Sequence, residues 1–319
     1  MFTKRPELSP GHGFDVYWAS VLTAIARPST PARRTFVCAS PRGGRERRGA
    51  VRAALPEGRR ASMTSLLELV AAREVVFALV WREVKTRYRG SVLGFLWTLL
   101  NPLMFMAIYT LVFTVYMRMD IVAYPVFLFA GLLPWIWFAS AITSGASSII
   151  DGSSLIKRVA FSPLILPTVT VTANLVNFLL ALPLLLLFMF GFGVPVTWAV
   201  LSLPVAVAIQ YVFTLALAVI LAMVTVRYRD LQHLLTNFVT LWLFLTPILY
   251  PLAMVPAAYQ APLLLNPMTP IIATYQDALF YGRFPPVLRL LLAAGMSLAM
   301  LALALWIYAR RRWAVVEDV

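Results

Sequence analysis

Six stretches of this chain are long and apolar enough to cross a lipid bilayer, and their recurrence constrains the fold more than any single motif. A hydrocarbon core about 30 Å thick takes about 20 mostly apolar helical residues. Such runs lie near 92–117, 125–149, 163–190, 197–226, 234–250 and 287–309. Backbone polar groups in hydrocarbon must find partners within their own segment, so each run is expected to be a helix. The fifth is the shortest and meets Pro247, which leaves its end the least defined. With 61% hydrophobic and 13% charged residues, the 319-residue chain carries more apolar surface than a water-soluble domain can bury. The expected class is an all-α membrane protein with six transmembrane helices.

The net charge of +14 invites a second reading, as a binder of nucleic acid, until its distribution is considered. Residues 1–64 hold 12 Lys/Arg against 4 Asp/Glu, with the Arg-Gly-rich run 41–48 and no sustained apolar period. That composition predicts a disordered basic leader. Met63 opens a segment that starts cleanly, so an over-extended coding start over residues 1–62 is the more economical expectation. Beyond residue 64, 15 basic residues face 9 acidic ones. With a cytoplasmic N-terminus, the inner loops carry Arg73, Arg82, Lys85, Arg87, Arg89, Lys157, Arg158, Arg227, Arg229 and Arg310, Arg311 and Arg312. Only Arg118, Arg283 and Arg289 fall outside, so the positive-inside rule places both termini in the cytoplasm and accounts for the charge without nucleic acid.

Two regions flank the spans. Residues 65–89 mix apolar and charged positions with no run long enough to cross, as expected of an amphipathic helix lying at the interface. It suits a membrane anchor or a partner-docking element equally. Between 247 and 286 lie eight prolines, separating the apolar stretches 257–265 and 271–281. Each stretch is too short to cross, and proline prevents their fusion. The region 251–285 therefore predicts two short re-entrant helices between spans five and six. Cys38 is the only cysteine and His12 and His233 the only histidines, which excludes an intrachain disulfide and leaves no expected metal site. Lys4, Lys85 and Lys157 are the only lysines and none follows a glycine, so the Gly-Lys-Ser/Thr phosphate loop is missing.

Several ordered motifs then resemble one family. The approach to the first span, Arg87-Tyr-Arg-Gly-Ser-Val-Leu-Gly-Phe-Leu-Trp97, is followed by Leu100-Asn-Pro-Leu103. Gly131-Leu-Leu-Pro-Trp135, Leu155-Ile-Lys-Arg-Val159 before Ser162-Pro163, and Arg227-Tyr-Arg-Asp230 come next. Thr246-Pro-Ile-Leu-Tyr-Pro251 and Asn266-Pro-Met268 complete the series. Over about 65–315 the chain resembles the ABC-2 permeases that export polysaccharides. The resemblance implies a half-transporter of the bacterial inner membrane. Two copies of the chain would form a channel, powered by two copies of a separate ATPase that bind ATP and Mg. This chain itself would carry no cofactor and no enzymatic activity. The implied cargo is a polyprenyl-diphosphate-linked glycan, O-antigen foremost, which places the chain in lipopolysaccharide biosynthesis. Teichoic-acid or capsule export and drug-type ABC-2 transport are the alternatives. A membrane glycosyltransferase or a passive channel belongs to another class. One departure is Gln276 in Tyr275-Gln-Asp277, where many relatives are expected to carry a basic residue.

Three groups of residues are the candidates for function. Aromatic faces stack on sugar C–H surfaces without fixed hydrogen-bond geometry. Phe105, Tyr109, Phe113 and Tyr116 fall within about 80° of arc on an ideal helix, and Trp242 on the fifth span is of the same kind. Helix packing explains them as well as a channel lining does. Trp81, Trp135, Trp137, Trp306 and Trp313 are expected to form interfacial belts. By resemblance, the segment 151–162 with Asp151, Leu155, Ile156, Lys157 and Arg158 would couple to the ATPase. Arg82, Lys85, Arg87 and Arg89 are candidate contacts for a carrier diphosphate through guanidinium forks, although topology alone also demands them. Gly90 with Gly94, and Ser140, Ser144 and Ser148, predict close helix contacts.

Overall fold

A computed structural model of the chain describes residues 73–88, 96–158 and 162–318. The leader 1–64, the start of the expected interface helix, Arg89, Gly90 and Gly94 lie outside the described residues. Those described form ten α-helices and no strand. They are α1 (Arg73–Tyr88), α2 (Leu96–Thr110), α3 (Tyr124–Asp151), α4 (Ser153–Arg158) and α5 (Ile165–Gly191). There follow α6 (Leu203–Arg227), α7 (Leu231–Phe244), α8 (Ala257–Leu264), α9 (Met268–Leu279) and α10 (Val287–Asp318). Five segments are long and apolar enough to cross a membrane: Leu99–Tyr116, Tyr124–Asp151, Ile165–Gly191, Trp198–Arg227 and Val287–Arg311.

The expected fifth span differs. Its helix, α7, ends at Phe244 after 14 residues, and the chain continues through turns to Tyr250. At about 1.5 Å per residue this helix reaches only about 21 Å. Pro247 stops it because proline disfavours helical backbone at the preceding residue and supplies no N–H of its own. The two short stretches appear where expected, as α8 and α9.

Helix α3 is the centre of the bundle, packed by α5, α6, α9, α2 and α7. Its burial overturns the belt assignment for two tryptophans. Trp135 and Trp137 are each only 3% exposed: Trp135 packs on Phe138 and Trp242, and Trp137 stacks on Phe178. A run of uniform apolarity does not say which neighbours will surround it. Trp81 and Trp306 are exposed, and Arg310 lies 4.1 Å over the Trp306 ring. The Trp313 side chain lies outside the described residues.

Close approach of α3 and α6 occurs at Gly145, where an added Cβ would stand 2.9 Å from the Ala218 Cβ. The expected serine contact row divides instead. Ser148 is buried and donates to Gly145 O at 2.7 Å, whereas Ser140 is exposed and Ser144 half-buried, both facing a cavity. Helix α1 buries Val80 against Ile165, Val169 and Ala173 of α5, leaving Phe77 and Trp81 exposed.

The short helices are tied down by side chains that bond to backbone. Tyr124 donates its hydroxyl hydrogen to Leu249 O at 2.8 Å, and Gln276 Nε2 donates to Pro247 O at 3.1 Å. Asn266 brackets α7 and α9: its Oδ1 accepts from Trp242 Nε1 at 2.9 Å and from Met268 N at 3.1 Å. Its Nδ2 donates to Thr246 Oγ1 at 3.0 Å. These bonds satisfy the polar groups that proline-broken backbone leaves open inside apolar surroundings. Gln276 is only 4% exposed and lies where a Cβ on Gly131 would meet it at 3.0 Å. An uncharged amide suits such a site, because burying a cation there would cost several kcal/mol.

Candidate functional site

A polar cavity opens beside α3 within this apolar bundle, walled by α1, α2, α3, α4, α5 and α7. It has two lobes that share Arg87, Thr143, Ser144 and Thr236. One, of about 830 Å³, lies at the C-terminal end of α3 and takes in Arg82, Glu83, Asp151, Ser154, Gln232 and His233. The other, of about 640 Å³, lies toward the middle of α3 and reaches Trp97, Asn101, Ser140, Asn177, Trp137 and Phe178. The polar positions recur every three or four residues along α3, so they form one stripe on a helix otherwise sunk in the core. That stripe is legible in the chain as Ser140, Thr143, Ser144, Ser147 and Asp151. Sequence reasoning took its serines for packing residues, because small polar side chains serve both ends.

The basic candidates divide. Arg87 donates from Nη1 to Asn174 Oδ1 at 2.9 Å and from Nε to Glu83 Oε1 at 3.4 Å, so it bridges α1 to α5. Arg82 is exposed at the cavity wall. Lys85 is exposed on the same helix, and Arg89 lies outside the described residues. Asp151 ends α3 at the cavity and Leu155 is half-buried on α4. The side chains of Ile156, Lys157 and Arg158 lie outside the described residues.

The aromatic arc does not hold together as one face. Phe105 is 44% exposed and stacks on Tyr109 at 6.2 Å between centroids. Tyr109 and Phe113 pack against the core, and Tyr116 is 71% exposed. The cause is a π-helical segment, Leu111–Tyr116, that continues α2. Its i→i+5 bonding advances each residue by a smaller angle than an α-helix does, which keeps Phe113 on the side of Tyr109 and carries Tyr116 away from it. Trp242 is not in the cavity wall; it sits half-buried among Trp135, Phe138 and Phe238.

A similarity to the ABC-2 type transporter family runs over residues 74–280, which takes in the cavity and both short helices. The chain belongs to that family. An O-antigen export system permease protein of Myxococcus xanthus, RfbA, is 46% identical over 254 residues, covering 79% of this chain and 98% of that protein. A protein of the same description from Klebsiella pneumoniae is 30% identical over 74% of this chain and 92% of its own length. The polysialic acid transport protein KpsM of Escherichia coli is 25% identical over 76% of this chain and 95% of its own length. Each of these relatives is described as a transport protein or permease. As an ABC-2 protein with apolar helices of spanning length, the chain is a multi-pass membrane protein. Its cavity is then a polar recess in a membrane domain, where polar and ionisable side chains are costly to place.

Proposed function

We propose that this chain is the transmembrane subunit of an ABC exporter that moves a polyprenyl-diphosphate-linked polysaccharide, O-antigen foremost, across the bacterial inner membrane. The 46% identity to an O-antigen export permease over nearly all of that protein carries the reading. The polar cavity supports it, since a glycan needs hydroxyl and amide groups along an otherwise apolar domain. Two copies of the chain would pair, and two copies of a separate ATPase would supply the energy. The short helix α7 with the turns to Tyr250 would complete a sixth crossing, with α8 and α9 re-entering from the outer side and α1 lying at the inner interface. The excess of basic residues in the loops assigned to the inside favours cytoplasmic termini.

Coupling would fall to α4, which follows directly from the cavity-lining end of α3. Reversing both charges there, Lys157→Glu with Arg158→Glu, is expected to lower glycan export about tenfold while the ATPase stays active, as lost charge pairing at an interface does. Inverted membrane vesicles containing the chain and its host's ATPase provide the assay, with ATP hydrolysis and glycan uptake read in parallel. Export by the chain alone, without ATPase or ATP, would overturn the exporter reading in favour of a passive channel. Unchanged coupling in the double variant would remove α4 from the mechanism.

A further inference from the structure

Several hydroxyls of the cavity wall are held so that they accept hydrogen bonds, and its charged side chains occur in both signs. Thr143 donates its hydroxyl hydrogen to Ala139 O at 2.7 Å, Thr236 to Gln232 O at 3.1 Å and Thr240 to Thr236 O at 3.0 Å. Ser147 donates to Ser144 O at 3.2 Å and Ser148 to Gly145 O at 2.7 Å. A hydroxyl whose hydrogen is held by its own helix backbone retains lone pairs for any guest. The Asn174 carboxamide is engaged at both ends, its Nδ2 donating to Thr170 O at 2.8 Å and its Oδ1 accepting from Arg87.

Charge is sparse in the same place. Among the described residues, Arg87 is the only ionisable side chain lining the lobe toward the middle of α3, and Glu83 stands beside its guanidinium. In the other lobe Arg82 and Arg87 face Glu83 and Asp151, so the formal charges cancel among the described residues. An apolar face comes from Trp97, which is exposed, with the buried Trp137–Phe178 stack behind it. A neutral sugar brings several O–H donors to such a wall and lays its C–H face on that ring. A carboxylate brings lone pairs and no hydrogen, so against these hydroxyls it would lose water without recovering bonds, and Arg87, the guanidinium common to both lobes, already bonds Glu83 and Asn174.

We propose that this cavity takes the uncharged, hydroxyl-rich sugar units of a glycan and disfavours units that carry a carboxylate. The inference rests on the exporter reading and adds its substrate class. It separates this chain from a relative described as a polysialic acid transporter, although the two share a family.

The test uses the complex of the chain with its ATPase in inverted vesicles, given two polyprenyl-diphosphate-linked probes of equal length. One is a mannose polymer and the other a polysialic acid. The mannose polymer should move about tenfold faster, the ratio expected when one unit's polar group goes unpaired. Ser140→Arg adds a cation on the exposed α3 face of the less charged lobe and should narrow that gap. Equal rates in the unaltered complex, or polysialic acid moving faster, would overturn the substrate class and leave the exporter reading standing. An unchanged gap in an intact Ser140→Arg complex would also overturn it. ATP-dependent movement of neither probe would overturn the exporter reading and this inference with it.

Discussion

Replacing Asp277 by alanine is expected to destabilise the folded protein by about 3 kcal/mol, the low end for removing one member of a buried ion pair. The carboxylate is 2% exposed and receives two arginines. Arg289 pairs with Oδ2 from the start of α10, and Arg283 Nη2 lies 2.7 Å from Oδ1. The Asp277 carbonyl also accepts from Arg283 N at 3.0 Å, so one residue closes the α9–α10 turn by side chain and backbone. Gly282, at φ +61°, allows the turn, and Thr197 Oγ1 donates to its carbonyl at 2.9 Å. The two arginines should not matter equally. Arg289 is 23% exposed and Arg283 61%, and an exposed pair contributes at most about 1 kcal/mol. Thermal unfolding of the detergent-purified protein checks this. Asp277→Ala should lower the midpoint most, Arg289→Ala next, and Arg283→Ala by little. Equal effects of the two arginine variants would show that burial does not rank them.

Gly145→Leu is the second substitution expected to have a large effect, because it acts on the closest contact between α3 and α6. A Cβ alone would sit 2.9 Å from Ala218 Cβ and 3.7 Å from its Cα, below ordinary contact distance for the first. Ala218 is fully buried, so its helix must move to make room. Overpacking a core by a few methylenes costs about 1–3 kcal/mol, and four added carbons at a helix crossing exceed that case. In a membrane domain, small residues at the crossing let two helices gain van der Waals contact that lipid cannot replace. The expected result is loss of most monodisperse protein in size-exclusion chromatography, with Gly145→Ala giving a partial loss. A normal yield for Gly145→Leu would place the tight contact elsewhere.

Both sites show why some features were legible in the chain and others were not. The long apolar runs were legible because hydrocarbon imposes one length and one secondary structure on whatever crosses it. The short α8 and α9 were legible because prolines crowd between and around the two apolar stretches, whereas the single Pro102, Pro134 and Pro183 are carried inside α2, α3 and α5. Asn266 and Gln276 appeared only as motif residues and as a departure from a pattern. Their work is to bond carbonyls and side chains about 20–30 positions away, and no local rule reports such a pairing. The aromatic arc lost Tyr116 for a specific reason: 100° per residue holds for an α-helix, and the chain changes to a π-helix at Leu111. Trp135 and Trp137 failed for another, since a tryptophan beside an apolar run suits a lipid interface or a protein core.

The amino-acid sequence by itself determined the helical membrane class, the proline-broken region between the last two long helices, and the family. These follow from hydropathy, proline and ordered motifs, which act locally or are read in chain order. Only the tertiary structure decided that α3 is central, that Asp277 gathers two arginines, and that hydroxyls from α3 and α7 face one cavity. Those depend on which helix faces are brought together. A serine on an apolar helix has the same local character whether it meets a neighbouring helix or an open polar recess, and packing alone separates the two.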